Sequence, residues 1–390
     1  MKGSKGVQSR RLALEALIQV DKQGTFTSNA LARAFERKEL SSRDRAFVTA
    51  LVMGVTRNKS ALDAAIKEFS SRPLEKLPSS LLNTLRLSVF QLLDMPDIPP
   101  SAVLNTSAEL AKTTGHVGQA RFVNGLLRNF LRSKIEPQAE AGVDENETEL
   151  RPRKTKLLAP PLESNDIEHL SRTYSMPAWI VRRWSNHFGQ EETHRLLQVA
   201  QQPGKLILRT CTQAITVQGL MDILKSQGFT VTIGSLVPTC LLLESTHKNK
   251  ETKGPPQNIP GYSDGLFSIQ DEASAFVSSV VDPKPGELLV DLCAAPGSKT
   301  IHLSELMEGT GQVIAVDKNA KKLDLIRDNR LRLGLTNIQV HEGDGRTFTL
   351  KEGADRVLLD APCLGTGVIG RRPDIRHHKN EADLTKLVKV

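Results

Sequence analysis

Apolar positions recur at helical spacing from residue 9 to about residue 133, and no alternating run interrupts them. Ala13, Leu17 and Val20 form one stripe; Phe47, Leu51 and Val55 a second; Leu82, Leu85, Val89 and Leu92 a third; Val123, Leu126 and Phe130 a fourth. The breaks fall at SSRD, Ser41 to Asp44, which reads as a helix N-cap, and at PDIPPS, Pro96 to Ser101, which reads as a loop. This pattern predicts an all-α bundle over 1–133. Its stripes form the core, and Arg10, Arg11, Arg57, Lys59, Arg121, Arg128 and Arg132 lie on the outer face.

The pattern then dissolves. Acidic QAEAGVDENETE is followed by basic RPRKTK, so 134–163 reads as a mobile linker. SMPAWIVRRWSNHFG opens a helical stretch, after which short strands, LILRTC, FTVTIG and CLLLES, surround the amphipathic QGLMDILKSQG. A small α+β domain is expected over 164–284, with HKNKETKGPPQN as a surface loop. From 285 to 390 strands and helices alternate, which predicts an α/β, Rossmann-like parallel sheet with helical crossovers. The strands are ELLVDLC, GQVIAVD, IQVHEGD and DRVLLDAP; each is nearly continuous in apolar residues, as strands buried on both faces are.

Across 390 residues, 39% hydrophobic and 25% charged describe an ordinary soluble globular chain. No apolar run approaches the roughly 20 residues of a bilayer span, and the start lacks a secretory apolar core. Cys211, Cys240, Cys293 and Cys363 form no CxxC pair, so a reducing compartment is expected: the cytoplasm, with a plastid as alternative. A monomer without membrane association is expected. His341, His377 and His378 have no partner at metal-ligand spacing, so no metal site is predicted. The formal charge of +8 favours a polyanionic partner, most simply nucleic acid.

The candidate chemistry sits where the strands end. Ligands of an open α/β sheet bind beyond the carboxyl ends of its strands. This chain places Asp291 and the turn AAPGSK after the first strand of that sheet, then Asp317, Asp344 and Asp360 after the next three. Asp317 follows Gly297 by about 20 residues, the distance at which a second-strand carboxylate reaches a ribose diol. The turn lacks GxGxxG and carries a proline where a pyrophosphate would approach, so a ligand with ribose and adenine but no pyrophosphate fits better than NAD. S-adenosylmethionine is such a ligand.

DLCAAPGSKT, VDKNAKKL, EGDGR and DRVLLDAPCLGTGVIGRRPDIR resemble successive motifs of the RNA 5-methylcytosine methyltransferases, and SMPAWIVRRW and FSIQDEAS resemble its preceding motifs. RLALEAL, DRAFVTALVMGVTRN and RFVNGLLRNFL resemble the NusB-like RNA-binding domain of one subgroup, which acts on small-subunit ribosomal RNA. The resemblance implies a three-part fold and S-adenosylmethionine-dependent methylation of cytosine carbon 5. Carbon 5 is a poor nucleophile, so a thiolate first adds at carbon 6. It further implies that Cys293, Ala294, Ala295, Pro296, Gly297, Ser298 and Lys299, with Asp317, Asp344 and Asp360, bind the cofactor. Asp360 also lies against the target base, and Cys363 assists product release.

In that family the nucleophile is a second cysteine in a later TCS motif, and no cysteine follows Cys363 here. The expectation is a chain truncated at its C-terminus, with DRVLLDAP at an unpaired sheet edge. Ser298, Leu364 and Arg376-His377-His378 depart from the family's usual Gly, Ser and aromatic residue. Three alternatives stand beside the leading reading: a non-catalytic RNA-binding assembly factor, a transfer RNA cytosine methyltransferase, and Cys363 itself as nucleophile, as in the DNA cytosine enzymes. Lys299, Arg346, Arg371, Arg372 and Arg376 are candidate phosphate contacts. With two Trp and two Tyr no aromatic stacking platform is expected, and Trp179 and Trp184 are read as packing residues.

Overall fold

The computed structural model describes residues 5–37, 40–114, 117–134, 166–244 and 256–389. The linker after its first residue, and most of the loop beginning at His247, lie outside these residues. The chain forms two compact units, one of residues 1–203 with 364–390, the other of 204–363.

The first unit is helical. It comprises α1 (Lys5–Gln23), α2 (Thr27–Glu36), α3 (Ser42–Arg57), α4 (Lys59–Phe69), α5 (Ser79–Asp94), α6 (Pro100–Thr114), α7 (Val117–Lys134), α8 (Ile167–Thr173) and α9 (Ala178–Gln201). The predicted stripes build its main core: Leu51, Val55, Leu85, Val89, Val123 and Phe130 are all buried in one cluster. Ser41 caps α3, its hydroxyl accepting from Asp44 N at 3.1 Å, and Pro100 opens α6, where a missing N–H costs nothing. Beneath the surface, Arg86 donates to Asp63 at 2.6 Å and to Asp21 at 3.0 Å, neutralising a cation that is 4% exposed.

Two arginines assigned to the outer face are inside. Arg10 donates to Gln91 Oε1 at 2.6 Å and to Gly6 O at 2.8 Å, and Arg57 to Gly370 O at 2.9 Å. Burial depresses both guanidinium pKa values.

Residues 364–389, with α14 (Ile375–His378) and α15 (Glu381–Val388), complete this unit. Ile369 and Ile375 join Leu170, Ile180 and Leu197 in a second core, against which Trp179 and Trp184 pack as expected. Asp374 Oδ2 accepts from Thr27 N at 2.8 Å. Arg376, predicted to reach phosphates, is instead 2% exposed and donates to the carbonyls of Arg57 (3.0 Å), Tyr174 (2.9 Å) and Ala200. Burial, reinforced by Arg57, lowers its pKa to about 9.

The second unit holds two four-stranded sheets. β1 (Leu206–Thr210), β2 (Thr230–Ile233), β3 (Cys240–Glu244) and β4 (Phe267–Ile269) form an antiparallel sheet in the order β2-β3-β1-β4, covered by α10 (Val217–Ser226). After α11 (Glu272–Val281), the strands β5 (Leu288–Asp291), β6 (Gln312–Asp317), β7 (Ile338–Glu342) and β8 (Arg356–Leu358) pair in parallel, ordered β7-β6-β5-β8. The crossovers are α12 (Ser298–Leu306) and α13 (Ala320–Arg332).

Full burial holds for β5 and β6 but not for β7 and β8, which occupy the sheet edges. Val357 on β8 and Leu359 just beyond it are 58% and 63% exposed. A buried ion pair ties the two sheets together: Arg209 on β1 forks onto both carboxylate oxygens of Glu305 on α12 and donates to Gln270 Oε1 at 2.6 Å.

Candidate active site

Inward-facing leucines and valines bury β5 up to Asp291, and the chain must then turn to start α12. Gly297 makes that turn possible. Its φ of +103° is disfavoured for any residue with a Cβ, and a Cβ there would lie 2.7 Å from Ile326 Cγ1 on α13. The Ala295–Pro296 peptide is cis.

Each strand end contributes a carboxylate to this turn or its surroundings. Asp317, ending β6, accepts from Ala295 N at 3.1 Å through one oxygen and from Asn319 N at 2.9 Å through the other, so it clasps the turn to the start of α13. Asp360, beyond β8, pairs with Lys299 Nζ at 2.6 Å. Asp344, beyond β7, is held by Arg346 at 2.6 Å and Lys318 at 3.1 Å, and the Arg346 hydrogen bonds keep its carboxyl well below the usual range. Gly345 passes so close to the turn that a Cβ would sit 2.8 Å from Leu292 O.

Asp291 differs from the other three. It is 1% exposed; Oδ2 accepts from Thr300 Oγ1 at 2.8 Å, while Oδ1 has no partner. Burial raises its pKa to about 6, against the opposing Thr300 hydrogen bond. Burial and the Asp317, Asp291 and Asp360 carboxylates also raise the Cys293 thiol. Cys293 is therefore a neutral thiol at pH 7, unsuited to nucleophilic attack. Cys363, by contrast, is exposed.

The structure thus brings together Cys293 to Lys299, Asp317, Asp344 and Asp360 around one turn. Sequence reasoning missed Thr300 and Lys318. The signal for Thr300 was its position one helical turn inside α12, from which a side chain can reach back to the strand end.

Known proteins carry the same arrangement of segments. The family model described as NusB family matches residues 7–132, the RsmF/B-like ferredoxin-like domain matches 176–249, and 16S rRNA methyltransferase RsmB/F matches 278–390. A protein named probable ribosomal RNA small subunit methyltransferase B from Bacillus subtilis is 33% identical over 385 residues, covering 98% of this chain and 79% of that protein. Its namesake from Synechocystis is 31% identical, with 98% and 80% covered. The chain belongs to the ribosomal RNA small subunit methyltransferase B family.

This is a family of S-adenosylmethionine-dependent ribosomal RNA methyltransferases, and the fold agrees with it. The crystal structure of PH0851 matches with a TM-score of 0.72 at 25% identity, over 100% of this chain and 82% of that one. The helical segment, the antiparallel sheet and the parallel sheet follow in the order of the three family models.

Proposed function

We propose that this chain serves the S-adenosylmethionine-dependent methylation of carbon 5 of a cytosine in small-subunit ribosomal RNA. The observation that carries the reading is the gathering of three strand-end carboxylates, Asp317, Asp344 and Asp360, around the turn of Cys293 to Lys299, in a member of this family. A carboxylate at a strand end beside such a turn suits a ribose diol. Residues Cys293 to Lys299, with Asp317, Asp344 and Asp360, would hold the cofactor, which supplies an electrophilic methyl group.

The residues of this chain position the reactants; the attack on carbon 6, which the resemblance gives to a cysteine of a later TCS motif, is assigned to none of them. Asp317 orients the turn through Ala295 N and Asn319 N. Asp360, paired with Lys299, would face the target base, where a carboxylate steadies a protonated ring nitrogen. Exposed Cys363 would assist product release, while Cys293 stays protonated and inert. Residues 1–133 and 164–284 would engage the RNA, and 285–390 would carry the cofactor site.

Calorimetric titration of the chain with S-adenosylmethionine tests this, with Asp317→Ala as control. Saturable binding that falls at least tenfold in the variant is expected. No binding by the folded chain, or equal binding by both proteins, would refute it.

A further inference from the structure

Within the helical unit, the first half of α9 and the start of α15 enclose a groove of about 570 Å³, inside the range of small-ligand clefts. Both tryptophans of the chain, Trp179 and Trp184, line it with Phe188. The indoles pack one side on the core of Leu170, Ile180 and Ile375 and are only half-buried, while Phe188 is 50% exposed and meets the His187 ring edge-on at 4.6 Å. Beyond their packing role, both indoles thus share this groove with one exposed phenyl ring.

The groove is cationic as well as aromatic. Arg182 and Arg183 line it, are exposed, and form no ion pair or hydrogen bond among the described residues. Glu381 is the one carboxylate among the lining residues. Flat π-faces beside uncommitted guanidinium groups are the chemistry that holds unstacked bases and their phosphates, whereas a paired duplex hides its base faces.

We propose that this groove is a binding site for single-stranded RNA, stacking bases on Trp179, Trp184 and Phe188 and pairing phosphates with Arg182 and Arg183. The proposal rests on the RNA-methylation reading and adds a location to it.

The test uses tryptophan emission of the full chain, since both indoles are at the groove. A twelve-nucleotide RNA is added as a single strand, as a duplex, and beside inorganic polyphosphate as a base-free polyanion; total RNA binding is followed in parallel by anisotropy of a labelled strand. Saturable quenching by the single strand alone is expected. Trp184→Ala should weaken binding about 5- to 150-fold. Because that indole also packs on the core, the exposed pair Arg182→Ala and Arg183→Ala serves as the second variant. It should lower the salt slope of binding by about 0.7 for each phosphate left without its cation. RNA bound by anisotropy without any change in emission, or with unchanged affinity in the double arginine variant, would overturn the groove and leave the methylation reading standing. Equal quenching by polyphosphate would overturn base stacking. Absence of any RNA binding would overturn both.

Discussion

Replacing Asp291 by asparagine should make the second unit more stable at pH 8 relative to pH 5. The carboxyl is 1% exposed, one oxygen lacks a partner, and its pKa stands near 6. The unfolded chain releases this proton near pH 3.9, while the folded chain holds it until about pH 6. The folded state therefore binds more protons between these values, and stability falls as pH rises through that window. Two pKa units at 1.36 kcal/mol each make a cost of about 3 kcal/mol at pH 8, of which about half remains at pH 5.

Asparagine removes that cost but buries an unpaired amide, at about 1–2 kcal/mol at either pH. The difference between the two pH values is free of the amide contribution: relative to the wild type, which loses this amount, the variant should gain about 1.4 kcal/mol, a tenfold change in the ratio of unfolding constants, on going from pH 5 to pH 8. All four cysteines lie in the second unit, and Cys211 and Cys240 are buried. Their labelling by a thiol probe active at both pH values, across a urea series, reports this unit alone. A variant destabilised equally at pH 5 and pH 8 would show that the ionised carboxylate carries no folding cost.

Two further substitutions probe neighbouring features. Gly297→Ala should cost about 1–3 kcal/mol for a Cβ at positive φ, before the clash with Ile326 is added, and should abolish S-adenosylmethionine binding in calorimetry; Ile326→Ala in the same chain relieves the clash but not the backbone. Unchanged affinity would refute the role of the turn. Arg376→Met leaves the carbonyls of Arg57 and Ala200 without this donor at roughly 1–3 kcal/mol each, while Tyr174 O keeps its bond from Gln201 Nε2 at 2.6 Å; relief of the buried cation offsets part of the cost. A net loss of about 3 kcal/mol is expected in urea unfolding followed by tryptophan emission, and no loss would refute the clamp.

The helices were legible because a bundle requires apolar positions to recur on one face, and Leu51, Leu85 and Phe130 are buried as their spacing demands. The strand-end carboxylates were legible for a similar reason: Asp291 and Asp317 each stop an apolar run at the end of a buried strand. The buried arginines were not. Whether Arg10 or Arg376 is inside depends on acceptors such as Gln91 Oε1 and Tyr174 O, which lie 81 and 202 residues away and leave no periodic trace. The groove was hidden likewise, since Trp184 and Leu364 meet only through the packing of the second helical core.

The helical unit is interrupted in sequence: the chain leaves it at Pro203 and re-enters at Leu364. Its clamp residue, Arg376, is separated from the carbonyl of Arg57 by 319 positions. A ribosome making about 5–20 residues per second spends roughly 10–30 s on the intervening segment of about 160 residues, and throughout that time the carbonyls of Arg57 and Ala200 lack the Arg376 donor, which is not yet synthesised. The helices made first would be finished by the residues made last. During synthesis, the surfaces around α8 and α9 would then be the stretch most exposed to chaperones and proteases.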